Sequence, residues 1–220
     1  GYTSDIGIRG QLSDKVSFDA SVFGLYYNDK IAEFETNNPD GSVGAVRFRN
    51  NIGTALTYGF EAMIDWSLSK TFFAENQQFT WNIFTNSAVT GSEYLESDEP
   101  NIKGNEVEFV PLLNFKTGTS VGYKNFMSSL QFMYVTSQFT DAKNGVTEKS
   151  DNTYGIFGKI PAYYVADFSA SYRWNRFKLE AGVTNFTNNN YFTRRATGYP
   201  GPGIIPSETR TFYTTLEFTF

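Results

Sequence analysis

Hydrophobic and polar residues alternate along most of this chain with a period of two, the spacing that sends successive side chains to opposite faces of a β-strand. Over the last twelve residues, 209–220, Phe212, Leu216, Phe218 and Phe220 share one face, and Tyr213, Thr215, Glu217 and Thr219 share the other. The pattern recurs eight times before that. Ile6, Ile8 and Leu12 oppose Gly7, Arg9 and Gln11. Val16, Phe18, Ala20 and Val22 oppose Ser17, Asp19 and Ser21 in a run that reaches about Glu33 and loses its regularity at Phe23, Leu25 and Tyr27. In the run 46–68, Tyr58, Phe60, Ala62, Ile64 and Trp66 oppose Gly59, Glu61, Met63 and Asp65, and over 77–90 Phe79, Trp81 and Ile83 oppose Thr80, Asn82 and Asn86. Four more runs centre on Leu113 to Tyr123, Phe126 to Tyr134, Tyr164 to Trp174 and Phe177 to Thr184. The pattern predicts nine strands in an all-β domain with almost no helix.

The connections between these runs alternate in length. Short turns are predicted at Ser13 to Lys15, Ser69 to Asn76, Lys124-Asn125 and Asn175-Arg176, and long polar loops at about 36–45, 91–108, 140–160 and 187–208. Short turns on one side and long loops on the other characterise an outer-membrane β-barrel, with the short side periplasmic. The aromatics agree, because Trp66, Phe79, Tyr123, Phe126, Trp174, Phe177 and Phe220 all lie beside a short turn or the terminus, where an interfacial girdle would sit. From Tyr164 to Trp174, at ~3.3 Å per residue and a tilt of ~40°, a strand climbs about 25 Å, the height of the lipid-facing band. The competing architecture is a soluble sandwich of about nine strands, which supplies no reason for aromatics to gather at one end of every strand.

Composition narrows the function. Hydrophobic residues make up 40% and mean hydropathy is −0.37, as expected when a polar lumen face dilutes a lipid face, and no apolar run reaches the length of a membrane helix. A net charge of −5 without any basic cluster argues against nucleic acid as partner. With no cysteine and no histidine, disulfides, thiolate chemistry and the commonest general base are absent, and no nucleophile stands beside a partner. The sequence therefore predicts no enzyme and calls for no cofactor. An odd strand number and two open edges in hydrocarbon are both unfavourable, so further strands are expected, upstream of Gly1 or in another segment.

The run Gly182-Val183-Thr184-Asn185-Phe186, followed by Tyr191-Phe192-Thr193-Arg194-Arg195 and closing on Arg210-Thr211-Phe212-Tyr213 through Phe220, resembles the end of TonB-dependent outer-membrane receptors. Asn51-Ile52-Gly53 with Tyr58-Gly59-Phe60-Glu61, and Ile160-Pro161-Ala162-Tyr163-Tyr164, are similar to earlier strands of the same family. The resemblance implies an antiparallel transmembrane β-barrel of which residues 1–220 form the carboxy-terminal portion, about nine strands of a larger barrel of about 22. A plug domain, the TonB-contacting segment and the earlier strands would lie upstream. The same resemblance implies residence in the outer membrane with a periplasmic carboxy-terminus, contact with lipid and lipopolysaccharide, insertion by the barrel-assembly machinery, and energy supplied by the TonB complex.

Within that family the stretch from Tyr191 to Pro206 looks most like the iron(III) dicitrate and siderophore receptors, which implies active import of a ferric chelate. Such a chelate is anionic and its iron is saturated by its own ligand, so recognition needs cationic and aromatic groups, and a guanidinium fork suits carboxylates. Arg194 and Arg195, flanked by Tyr191 and Tyr199, are the candidate ligand-binding residues. The bland alternative has one arginine paired with a lumenal acid such as Asp167 or Glu217 and the other on a lipopolysaccharide phosphate. The acidic stretch from Glu93 to Glu108 reads as a solvated loop, calcium binding being the sharper alternative. Two other functions remain open: a TonB-dependent importer of glycan, haem or cobalamin, with a surface lipoprotein as partner in the glycan case, and a passive porin or adhesin barrel.

Overall fold

Short polar turns leave each strand one nearest partner, its neighbour in the chain, and antiparallel pairing follows. The computed structural model describes residues 1–37, 45–76, 78–146, 155, 158–196 and 203–220. Its main sheet holds nine strands in the order β1 (Tyr2–Ser13), β2 (Val16–Asn37), β3 (Ala45–Ser67), β4 (Phe79–Ser97), β5 (Leu113–Tyr123), β6 (Phe126–Val135), β7 (Tyr163–Trp174), β8 (Phe177–Thr184) and β11 (Thr211–Phe218). Nine strands at these places are what the alternation predicted. A short helix, α1 (Leu68–Phe72), fills the turn between β3 and β4. Two predicted loops are partly strand. β4 continues through Gly91 to Ser97, and the last long loop carries a hairpin of β9 (Phe192–Ala196) and β10 (Gly203–Pro206).

Cross-strand partners share a face, so the register tests the assignment of faces. Phe79, Tyr123, Phe126 and Tyr172 pair in succession across four strands, and Trp174, Phe177 and Phe218 across three, which draws the predicted aromatic row along the short-turn end. Higher up, Ala170 pairs with Ala181 and Leu179 with Leu216 on the same face, while Ser171, Glu180 and Thr215 pair on the other. Among the described residues nothing packs on the apolar face. Ile6 is 74% exposed and Leu216 67%, a continuous apolar surface far larger than water tolerates. The hollows of the sheet open on the polar face instead. One of about 620 Å³ is bounded by Ser129, Ser169, Ser171, Arg173, Lys178 and Glu180.

The irregularity at Phe23 has a packing cause. Phe23 points to the polar face opposite Gly59, where a Cβ would stand 2.7 Å from its ring, and Phe84 and Tyr213 lie over Gly118 and Gly182 in the same way. A missing side chain on one strand thus lodges an aromatic ring from the next.

Toward the long-loop end β2 and β3 each take up one extra residue. Tyr27 pairs with Ala55, Lys30 with Gly53 and Ile31 with Asn51, so both strands bulge, with Asp29 at φ +50° and Gly53 at φ +144°. A side chain at Gly53 would collide with the Glu96 carbonyl. One residue of slip exchanges the faces. Below the bulge the even-numbered residues Val16 to Tyr26 lie on the outward apolar face, whereas above it Ala32 and Phe34 turn inward and are buried. There, with Ile52, Ala55, Tyr94, Ile102, Val107 and Ala142, they form the hydrophobic core at the long-loop end of the sheet.

Candidate functional site

The last long loop is built upward from Asn185, which closes the Gly-Val-Thr-Asn run at φ +47° and is only 2% exposed. Asparagine tolerates the left-handed region, and its amide satisfies main-chain groups at the same time. Its backbone N–H donates to Asp167 Oδ1 (2.7 Å), its Oδ1 accepts from Asn189 N–H (2.9 Å), and its Nδ2 donates to the carbonyls of Asn189 (2.9 Å) and Glu208 (3.2 Å). Asn189 Nδ2 donates to the Tyr164 carbonyl (2.9 Å), and Arg210 N–H donates to Asn188 Oδ1 (3.1 Å). The first end of the loop is therefore fastened to β7 and the second end is tied to the first. Among the described residues, Asp167 is engaged with this main chain and not with an arginine.

From that base the four candidate residues separate. Tyr191 is half-buried and stacks on Tyr163 of β7, with centroids 4.8 Å apart and planes 15° apart, while its carbonyl accepts from Ser207 N–H at 3.0 Å. In β9, Arg194 pairs with Ile205 and Arg195 with Ile204. Neighbours in a strand point to opposite faces, and the two arginines do so. Arg194 is exposed. Arg195 is 5% exposed, donates from Nη1 to the Gly155 carbonyl (2.6 Å) and from Nη2 to the Lys159 carbonyl (2.8 Å), and lies over the Phe192 ring at 4.9 Å. Tyr199 lies outside the described residues.

Three features of this end of the molecule were not legible in the sequence as chemistry. Glu108, expected in a solvated loop, accepts from Lys30 Nζ at 3.0 Å and from Tyr94 OH at 2.6 Å, which holds the 98–112 segment on the inner face of β2 and β4. Burial first, then the Glu108 hydrogen bond and its charge, push the Tyr94 phenol far above its ordinary value; Tyr94 lies in the core at the long-loop end of β4. Loops 98–112 and 136–146 are sewn together as well. Asn144 exchanges hydrogen bonds with the Glu106 main chain at 2.8 Å, Asn105 Nδ2 donates to the Ala142 carbonyl at 2.9 Å, and Phe109 N–H donates to the Phe139 carbonyl at 2.8 Å. Among the described residues no three acidic side chains converge as a bound cation would need.

Known proteins share this architecture. The structure of the ferric citrate transporter FecA in its unliganded form superposes with a TM-score of 0.77 at 22% identity, over 99% of this chain and 31% of that one. The copper transporter OprC gives 0.71 at 20% identity, over 99% and 31%. The ferric yersiniabactin uptake receptor FyuA from Yersinia pestis gives 0.69 at 19% identity, over 99% and 29%. At these identities the likeness is one of fold, and the chain spans about a third of the length of each. No curated protein matches it. The family model described as TonB dependent receptor-like, beta-barrel matches residues 1–186, up to the base of the last loop. An open antiparallel sheet with an unpartnered apolar face, short turns on one side and that match over most of its length together show that the chain belongs to the TonB-dependent receptor-like β-barrel family.

Proposed function

We propose that the protein is the carboxy-terminal barrel portion of an outer-membrane importer that takes up an anionic ferric chelate with energy from the TonB complex, and that it is not an enzyme. The observation that carries this reading is the exposed guanidinium of Arg194, held at the long-loop end of the sheet by a fastened hairpin with Tyr191 at its foot. A cation on that rim suits a carboxylate-rich or phenolate chelate whose iron needs no further ligand from protein. Tyr191 and Tyr199 contribute aromatic surface. Arg195 serves the same site through the hairpin. The carboxy-terminus is periplasmic, the strand ending in Phe220 is read by the barrel-assembly machinery, and the plug and earlier strands precede residue 1.

The test is binding of ferric citrate and of a catecholate and a hydroxamate chelate to the full-length receptor, with Arg194→Ala compared with wild type. A charge-assisted contact of ~1.5–3 kcal/mol predicts a loss of about tenfold to a hundredfold for the cognate chelate. An affinity unchanged for every chelate would remove the residue-level support for a ferric ligand.

A further inference from the structure

We infer that Arg195 is a positioning residue, a clamp that joins the β9–β10 hairpin to the carbonyls of Gly155 and Lys159 and so fixes where Arg194 stands. The inference rests on the proposed function for its ligand, but the clamp itself is a property of the unliganded protein.

The geometry is specific to a guanidinium. A buried cation is costly unless its N–H groups find acceptors, and Arg195 directs two of them at carbonyls 40 and 36 residues earlier in the chain. A planar fork reaches both carbonyls at once, whereas an ammonium is a point charge on a flexible stem. The Phe192 ring, 4.9 Å from the guanidinium carbon, occupies one face of the fork. Gly155, at φ +65°, adopts a left-handed conformation that few other residues accept, and its carbonyl meets the arginine there.

What Arg195 grips is itself braced. Thr140 Oγ1 donates to the Gly158 carbonyl at 2.8 Å, Gln138 and Ile160 exchange main-chain hydrogen bonds at 3.1 and 2.9 Å, and Lys159 Nζ lies 3.9 Å from the Phe139 ring. The hairpin has a second fastening at its foot, the Tyr191–Tyr163 stack. A body held at one point swings, and a body held at two points with a rigid fork at one of them does not. Strand alternation then leaves Arg194 facing away from the clamped side. The two arginines thus divide the labour of the hairpin. Arg195 commits its charge to the wall, and Arg194 keeps its charge for the ligand.

The clamp is decided without ligand, by hydrogen exchange on full-length receptor in detergent, with Arg195→Ala, Arg195→Lys and Arg194→Ala compared with wild type. Peptides covering 158–163 and 192–196 should exchange at least tenfold faster in Arg195→Ala. Arg195→Lys should fail to restore protection, because charge without the fork is insufficient, and Arg194→Ala should leave both peptides at wild-type rates. Unchanged exchange in both Arg195 variants, or full protection with lysine, overturns the clamp. The positioning role is read separately with ferric citrate. Arg195→Lys should speed dissociation at least fivefold while the dependence of affinity on salt stays that of wild type, whereas Arg194→Ala should flatten that dependence. Wild-type protein that binds no ferric citrate counts against the ligand in the proposed function, while the exchange result still decides the clamp.

Discussion

Arginine substitution on the two faces of the sheet gives the sharpest account of where lipid lies. Ala181 stands four residues beyond Phe177, whose row with Trp174 and Phe218 marks the short-turn end. At ~3.3 Å per residue and a tilt of ~40°, four residues raise it about 10 Å, close to the middle of a band about 25 Å tall. Leu216, paired with Leu179, is two residues up and about 5 Å from the row. Arginine at the midplane of a lipid face costs ~2–4 kcal/mol and falls toward ~0–1 kcal/mol at the interface. Ala181→Arg should therefore cost ~2–4 kcal/mol and Leu216→Arg about half as much, while Thr215→Arg and Ser171→Arg, on the polar face, should cost ~0–1 kcal/mol. The assay is denaturant-dependent refolding of the full-length receptor into vesicles, followed by tryptophan fluorescence and by the folded-barrel shift on gels. Equal costs on the two faces, or a larger cost at Leu216 than at Ala181, would refute the placement of the bilayer.

Three further outcomes are expected. The raised phenol of Tyr94 favours the neutral form in the folded state, so its contribution is complete below the ordinary value of 10.0 and is lost as pH climbs above it. Protection at the amides of Tyr94, Gly104 and Asn105, taken relative to the hydroxide-catalysed rate of a free amide at each pH, should fall above about pH 10, and Tyr94→Phe should remove that fall. Gly53→Ala forces a Cβ into the Glu96 carbonyl at a φ that alanine resists, which should loosen the β3–β4 pairing above the bulge by ~1–3 kcal/mol, seen as faster exchange at 93–97 with the lower barrel unchanged. Removing residues 218–220 takes away the Phe177–Phe218 and Phe218–Phe220 contacts at 4.9 and 5.0 Å, and should abolish outer-membrane insertion without reducing synthesis; normal surface levels would contradict the assembly role of the terminus.

The strands were legible because a lipid-facing sheet writes its geometry into the sequence at period two, and the register of Ala170 with Ala181 and Leu179 with Leu216 follows the faces read from alternation. Phe23 broke the rhythm only because its partner is Gly59, a relation between strands that no single run displays. The hairpin of β9 and β10 was read as loop, since strands of five and four residues are too short to show a period. The roles within the arginine pair were hidden for another reason. Arg195 is held by main-chain carbonyls, and a carbonyl has no identity in a sequence. Lys30 and Glu108 lie 78 residues apart, and only the inward fold of the 98–112 segment brings them together.

The bulges in β2 and β3 carry a consequence for how this chain tolerates change. From Val16 to Tyr27 the strand climbs about 28 Å, so the extra residues fall at the outer waterline, where the surroundings change from hydrocarbon to water. The chain keeps one rhythm on both sides, greasy residues at even numbers, and a single added residue reverses what that rhythm means: outward below, inward above. Spelling is thus preserved while meaning is inverted. At Asn28, Asp29 and Gly53 the count of residues matters more than their kind: a one-residue deletion at Asn28 or Asp29 would turn Ala32 and Phe34 out into water and carry Lys30 away from Glu108, and one at Gly53 would do the same to Ile52 on β3.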